Sequence, residues 1–388
     1  MSTPVTPAIP APRIDAWLVI STLALAMVGV VMVASASITM ADQSLGEPFY
    51  YLYRQVAYVL LGLGVAGGFL AVPLRAWEAL GPVLLAVALA LLVLVLVPGI
   101  GREVNGAARW LPLGPVNLQV SEPARLMILL YLCGYAARRQ EALETGFRGL
   151  LTPLAVLAAA SALLLAQPDF GAMTVLLFTA VAVLFVGGMR VRDLLVLCGL
   201  GAAALVALVL SSDYRMRRLT AFMDPWADPW DSGFQLTQSL IAIGRGEWLG
   251  VGLGGSVQKL FYLPEAHTDF VFAVFAEELG LVGVVALLAL YGIFLWRAFA
   301  ISAKAAAAGR VFAACLAFGL GTWIGVQAFV NMAVNMGLLP TKGLTLPLVS
   351  FGGSSLMVCC AAVGLLLRIY YELAADGFAG RRPRRKGA

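Results

Sequence analysis

Apolar runs long enough to cross a bilayer recur along almost the whole of this sequence, and no other feature limits its fold so sharply. A hydrocarbon core of ~30 Å takes about 20 mostly apolar residues as a helix. Ten such runs stand at about 16–38, 55–72, 80–97, 122–137, 150–166, 170–188, 193–211, 271–296, 311–332 and 348–371. A β-barrel would show ~10-residue alternating segments instead, so helices are the expected elements. Composition agrees, with 61% of the 388 residues hydrophobic and 12% charged, against roughly 45–50% and 25% in soluble domains. The expectation is an all-α polytopic membrane protein of about ten transmembrane helices. Residues 1–15 form an N-terminal tail, 16–372 a single membrane domain and 373–388 a basic tail. The first run has no small-residue cleavage signature and is read as a retained helix.

Lys and Arg in short loops set the orientation. Alternating ten spans gathers sixteen cations on one side, among them Arg75, Arg138, Arg139, Arg148, Arg190, Arg192 and Arg297. The other side has Arg54, Arg102, Arg109, Arg125 and Lys342, with five more in a long loop that counts little. Both termini are therefore expected in the cytoplasm and the loop 212–270, between helices 7 and 8, outside. The tail RRPRRK reads as an anchor on anionic membrane lipids, with no nucleic-acid partner implied. The five cysteines fall inside helices, without metal-ligand spacing.

Three outward segments are patterned beyond the needs of a plain bundle. Segment 98–125 is rich in turn formers and places Glu122 and Arg125 at i and i+3, an ion pair at the membrane edge that is either functional or an anchor for a re-entrant loop. Segment 212–270 has two Asp-Pro-Trp units suited to the interface and the glycine-rich "GRGEWLGVGLGGS". No strand precedes that glycine run, so it reads as a tight turn sooner than a phosphate cradle. In segment 333–355, Pro340, Gly343, Pro347, Gly352 and Gly353 interrupt a hydrophobic hairpin. Broken backbone at membrane depth is tolerated where protein or a wet cavity satisfies it, and Lys342, Ser350, Ser354 and Ser355 would line that cavity.

The stretch "YLPEAHTDFVFAVFAEELG", 262–280, holds the one histidine, His267, and four carboxylates, Glu265, Asp269, Glu277 and Glu278. The uncharged run 279–296 nearly spans alone, so the acidic turns can lie above the bilayer or against an outward cleft. Asp269 is either a helix N-cap or a general base in a partly desolvated cleft. Around the helix Glu277 lies ~80° from Asp269 and Glu278 ~180°, so only Glu277 is placed to share that cleft, and a structural tie is open for both. His267 is either a proton shuttle or an interfacial histidine bonded to a loop carbonyl.

The motifs "FYYLYRQ", "NGAARWLPLG", "QVSEPARL", "AQPDFG", "RRLTAFMDPWADP", "GFQLTQSLIAIGRGEWLGVGLGGSVQKLFYLPEAHTDF" and "PTKGLTLPLVSFGGSS", in that order on a ten-span plan, resemble the SEDS family of peptidoglycan glycosyltransferases from first span to last. "LPEAHTDF" with "PTKGLTLPL" favours its cell-division branch over its elongation branch. The resemblance implies polymerisation of lipid II at the outer face of the bacterial cytoplasmic membrane, at the division septum. It matches Asp269 to the essential aspartate that deprotonates the acceptor sugar hydroxyl, with undecaprenyl pyrophosphate expelled. It places Arg54, Arg109, Glu122, Arg125 and Lys342 around the outward cavity. Guanidinium groups or a divalent cation, Mg or Mn, would stabilise the leaving group. Family members usually carry lysine where this chain has Arg125, and the two differ in phosphate geometry. A class B penicillin-binding transpeptidase and the divisome activator complex are the partners implied. The small-residue stretch Gly62 to Gly68 permits close helix contact, within the chain or with a partner.

A lipid II flippase and a non-catalytic scaffold are the competing readings. A transporter should show related halves with interrupted helices in corresponding positions. No internal repeat is visible, and the ionisable residues gather on the outer side, which favours the enzyme.

Overall fold

The computed structural model describes residues 14–104, 107–114, 116–210, 222–230, 233–260, 262–341 and 343–379, together with 216 and 220. All ten anticipated runs are helical: α1 (Ala16–Leu45), α2 (Tyr50–Ala71), α3 (Leu74–Leu94), α4 (Ser121–Arg138), α6 (Leu151–Ala166), α7 (Phe170–Val186), α8 (Val191–Leu210), α10 (Val271–Ala307), α11 (Val311–Asn335) and α12 (Gly353–Ala379). Two shorter helices, α5 (Gln140–Thr145) and α9 (Phe234–Gly246), lie between them. Among the described residues seven helical stretches are long and apolar enough to cross a membrane. Of the other three, α4 carries Glu122 and Arg125 in its first turns and α7 has only 17 residues.

The outsides of these helices are apolar too. Leu60, Leu61, Val83, Leu195 and Val282 are exposed, which in water would be a liability and in a bilayer is the lipid-facing surface. Helix α12 packs on α2, α3 on α4, and α11 on α10, α7 and α4. Closeness at one of these seams depends on small residues. A Cβ on Gly62 of α2 would stand 2.7 Å from Cys360 Sγ, and one on Gly364 of α12 would stand 2.4 Å from the Ala66 carbonyl. Part of the small-residue stretch on α2 therefore serves packing within the chain.

Two polar contacts bracket the bundle. Asp15 caps α1 by accepting from Leu18 N at 3.1 Å and also pairs with Arg297 of α10. Ser35 of α1 donates to Glu278 of α10 at 2.7 Å. The contacts are 20 residues apart on α1 (35 − 15) and 19 apart on the antiparallel α10 (297 − 278). At 1.5 Å per residue that is about 30 Å, one hydrocarbon thickness. On the Asp15 side Glu372 holds Arg368 at 2.9 Å, Arg310 at 3.2 Å and the Leu74 amide at 2.9 Å.

At the opposite end the fold departs from an all-helical reading. Segment 98–125, expected as turns or a re-entrant loop, contains a three-stranded antiparallel sheet in the order β1 (Arg102–Val104), β2 (Ala107–Leu113), β3 (Val116–Gln119). Trp110 pairs with Gln119 and Leu113 with Val116. Two helices also outrun their apolar cores: α1 continues to Leu45, closed by left-handed Gly46 at φ 71°, and α10 continues to Ala307. The basic tail after residue 379 and the N-terminal tail before residue 14 lie outside the described residues.

Candidate active site

Helix α10 is broken near its start. Gly280 has φ 63° and ψ −166°, which divides the helix into a buried stub, 271–279, and a long span. Such a break strands backbone groups, and the glycine-rich loop supplies their partners. The Val251 and Gly252 amides donate to the Glu277 and Glu278 carbonyls at 3.0 and 3.1 Å, and the Leu281 and Val282 amides donate to the Glu247 and Trp248 carbonyls at 2.9 and 3.1 Å. The loop is thus the tight turn expected, fitted around the break. A Cβ on Gly280 would sit 2.4 Å from the Gly250 nitrogen, so only glycine fits on both steric and conformational grounds.

The two glutamates of the stub are fully buried and lock it in place. Glu277 accepts from Ser256 Oγ, from the Val257 amide at 3.2 Å and from Arg245 at 3.3 Å. Glu278 accepts from Ser35 and from Lys259 at 3.0 Å. Both are structural ties, and Glu277 does not share the cleft of Asp269.

Asp269 lies in the turn just before the stub. Phe270 is the N-cap of α10, with no side-chain capping bond, so Asp269 does not cap the helix. Its backbone carbonyl is gripped by Asn331 Nδ2 at 2.8 Å and Asn335 Nδ2 at 3.1 Å, both from α11. Asn335 Oδ1 in turn accepts from the Ala273 amide at 3.3 Å, satisfying one of the open donors of the stub. Asn331 also donates to the Leu344 carbonyl at 2.6 Å, tying the 343–353 loop to the same point. A Cβ on Gly343 would stand 3.1 Å from Asp269 Oδ2, so this loop lies directly over the carboxyl.

The carboxyl itself makes no hydrogen bond among the described residues, and its pKa is raised from 3.8 to about 7. Burial is the main cause; the charges of Glu265 and Asp169 add to it, and Arg109 opposes it. Glu265 holds the turn from below, its carbonyl accepting the Thr268 and Phe270 amides at 3.1 and 3.2 Å.

Arg109 projects from β2, with Nε donating to the Gln167 carbonyl at 3.1 Å and Nη2 to the Pro168 carbonyl. It thereby joins the sheet to the α6–α7 turn, where Asp169 caps α7 by accepting from Ala172 N at 3.1 Å and leaves its other oxygen buried with no hydrogen-bond partner among the described residues. Arg125 is only 2% exposed. It donates to Gln327 and to Glu122 at 3.2 Å and lies 5.2 Å over the Trp323 ring, so the anticipated i, i+3 ion pair forms inside the bundle, not on an open wall. Ser350 and Ser354 are spent on backbone, accepting the Leu346 amide at 2.8 Å and the Gln119 amide at 3.0 Å. Ser355 meets Thr345 at 2.9 Å.

Arg54 is exposed at the rim, 4.8 Å over the Tyr50 ring. His267 is buried between Tyr51 at 4.7 Å and Phe351 at 5.7 Å, and its carbonyl accepts the Phe351 amide at 3.0 Å. Burial lowers its pKa, and the charge of Glu265 opposes that. Lys342 lies outside the described residues. No group of three His, Cys, Asp or Glu side chains is placed to hold a metal ion among the described residues.

Three residues that hold the site were not singled out in the sequence: Asp169, Asn331 and Asn335. The asparagines had a signal. With Gln327 they recur every fourth residue along an apolar helix, a polar stripe on one face that marks a buried binding edge.

A family profile described as cell cycle protein and covering FtsW, RodA and SpoVE matches residues 16–375. A probable peptidoglycan glycosyltransferase FtsW of Thioalkalivibrio sulfidiphilus is 58% identical over 95% of this chain and 92% of its own. The similarly named protein of Halorhodospira halophila is 56% identical over 96% of each. Among solved structures, a chain from a peptidoglycan synthase complex that coordinates polymerization with crosslinking is 35% identical, with a TM-score of 0.76 over 93% of this chain and 98% of its own. The rod shape determining protein RodA of Thermus thermophilus is 34% identical, with a TM-score of 0.67 over 92% and 97%.

Proposed function

The chain belongs to the cell cycle protein family of FtsW, RodA and SpoVE and is a peptidoglycan glycosyltransferase, and from that premise we propose that it polymerises lipid II with Asp269 as general base. The carrying observation is a carboxyl raised to about 7 beneath the Gly343 loop at the sheet end of the bundle, with no capping duty and no hydrogen bond among the described residues. A base poised near the working pH is half ionised and still basic enough to take a hydroxyl proton.

In this reading Asp269 removes the proton from the acceptor sugar hydroxyl as that oxygen attacks the anomeric carbon of the donor. The glycosidic bond to pyrophosphate breaks with inversion, and the leaving group takes the electron pair. Because pyrophosphate leaves without protonation, one carboxylate is enough, whereas inverting glycosidases need two. Arg109 and Arg54 stand on the same side as the base, where cations would meet phosphate charge. Arg125 serves by fixing α4 to α11. The enzyme works at the outer face of the bacterial inner membrane, at the division septum, and delivers its strands to a class B penicillin-binding transpeptidase. The likeness to a complex that couples polymerization to crosslinking supports that partner, and the divisome activator complex belongs beside it.

The test is polymer formation from lipid II by the chain bound to a transpeptidase-inactive partner. Asp269→Asn should yield no polymer while remaining folded and partner-bound. Polymer at wild-type level would make Asp269 structural, and no polymer from the wild type would favour flippase or scaffold.

A further inference from the structure

A second site lies at the other end of the bundle, away from Asp269. Between the end of α4 and the start of α6 the chain folds into a groove of about 770 Å³, lined by Tyr135, Arg138, Arg139, Phe147, Arg148 and Thr152. Its walls are fixed. Tyr135 Oη donates to the Gly149 carbonyl at 2.7 Å, and a Cβ on Gly149 would stand 2.2 Å from the Ala142 carbonyl, so the loop sits hard against α5. Arg190 braces the far wall through the Glu144 and Thr145 carbonyls.

Three guanidiniums line this groove, and among the described residues none has a carboxylate within ion-pair distance. The nearby acids are Glu141 and Glu144, both exposed on α5, and Glu144 accepts from Gln140 at 3.1 Å. Arg138 runs back along its own helix, its Nη1 within 3.0 Å of where a Cβ on Gly134 would be, which aims the charge toward the membrane. Beside it Phe147 and Leu151 are 43% and 55% exposed. A cationic floor next to bare apolar side chains at a helix end matches a phosphate headgroup continuing into acyl chains. A free anion would use the first feature and leave the second unexplained.

We propose that this groove binds one anionic phospholipid of the inner leaflet, its phosphate among Arg138, Arg139 and Arg148 and its chains along Phe147 and Leu151. The proposal is independent of the glycosyltransferase chemistry. It is tested on the full chain by native mass spectrometry and by thermal melting with phosphatidylglycerol, phosphatidylcholine or inorganic phosphate. The expected result is one retained phosphatidylglycerol, a higher melting temperature with that lipid alone, and no effect of millimolar phosphate. Each Arg→Gln change should weaken retention about fivefold, and Arg138→Gln/Arg139→Gln/Arg148→Gln should abolish it, while Arg192→Gln, outside the groove, leaves it unchanged. Should the triple variant fail to fold, the single changes carry the test. Equal retention of phosphatidylcholine, or retention unaffected by the arginine changes, would overturn the site. Full competition by inorganic phosphate would assign it to a soluble anion and overturn the lipid.

Discussion

In the role proposed for it Asp269 must be ionised to act as a base, so its raised pKa sets the direction of the pH dependence that this reading expects. Polymerisation by the wild type should rise with pH and level off above about 7, whereas an ordinary aspartate would leave the rate flat across that range. The neighbours move the limb in opposite directions. Glu265→Gln removes a charge that raises the pKa and should shift the limb to lower pH, and Arg109→Gln removes one that lowers it and should shift the limb upward; initial rates from pH 5.5 to 9 decide both. The same carboxyl weakens the fold. Its folded pKa exceeds the unfolded one, so stability is lost as pH rises from 3.8 to about 7 and stays lost above. Asp269→Asn does not titrate, and its melting temperature should pull ahead of the wild type across that window and hold a constant lead above it, the trade of stability expected of the proposed base. An equal melting temperature at pH 8 would place the carboxyl in water.

At the scale of elements, the sequence discloses spans and conceals what happens between them. Continuous apolar runs are legible because lipid accepts little else, and all ten appear as helices. The sheet was hidden because Pro112, Gly114 and Pro115 break any alternation in 102–119, and its strands are fixed by tertiary ties such as Ser354 to Gln119. The break at Gly280 was hidden because a glycine inside an apolar run carries no sign of its φ. Only the fit with the loop at Gly250 requires it. Likewise Glu277 could be read as a cleft acid, with a structural tie open for both it and Glu278, and only the arrival of Arg245, Ser256 and Lys259 from elsewhere in the sequence makes ties of both. The break gives a sharp prediction. Gly280→Ala forces a left-handed conformation on a residue with a Cβ and collides with the Gly250 nitrogen, costing at least about 2 kcal/mol, and should abolish polymer by displacing Asp269. Gly292→Ala, farther along α10 with nothing within 4 Å of the added Cβ, should be neutral or stabilising by about 0.5–1 kcal/mol. Melting of the two variants in one detergent compares them directly, and equal melting would mean that α10 runs straight through Gly280.

For the whole molecule, the two brackets between α1 and α10 give the bundle its polarity. The proposed base Asp269 and the sheet lie at the Ser35–Glu278 end, and the Asp15–Arg297 end holds ion pairs and the arginine groove. A base at that end can reach a lipid-linked sugar outside the cell only if the loop between α8 and α9 is extracytoplasmic. Helix α8 permits a direct measurement, since its 20 residues span ~30 Å, with Arg192 at its start and Trp230 beyond its far end. Both side chains are open, at 78% and 84% exposure. With the exposed Cys198 first replaced by alanine, a membrane-impermeant maleimide added to intact spheroplasts should label Trp230→Cys and leave Arg192→Cys unmodified until the membrane is permeabilised. The reverse pattern would turn Asp269 toward the cytoplasm, where a polymerase would build glycan on the wrong side of the membrane. The labelling therefore tests orientation and active-site assignment together, and does so without any assay of activity.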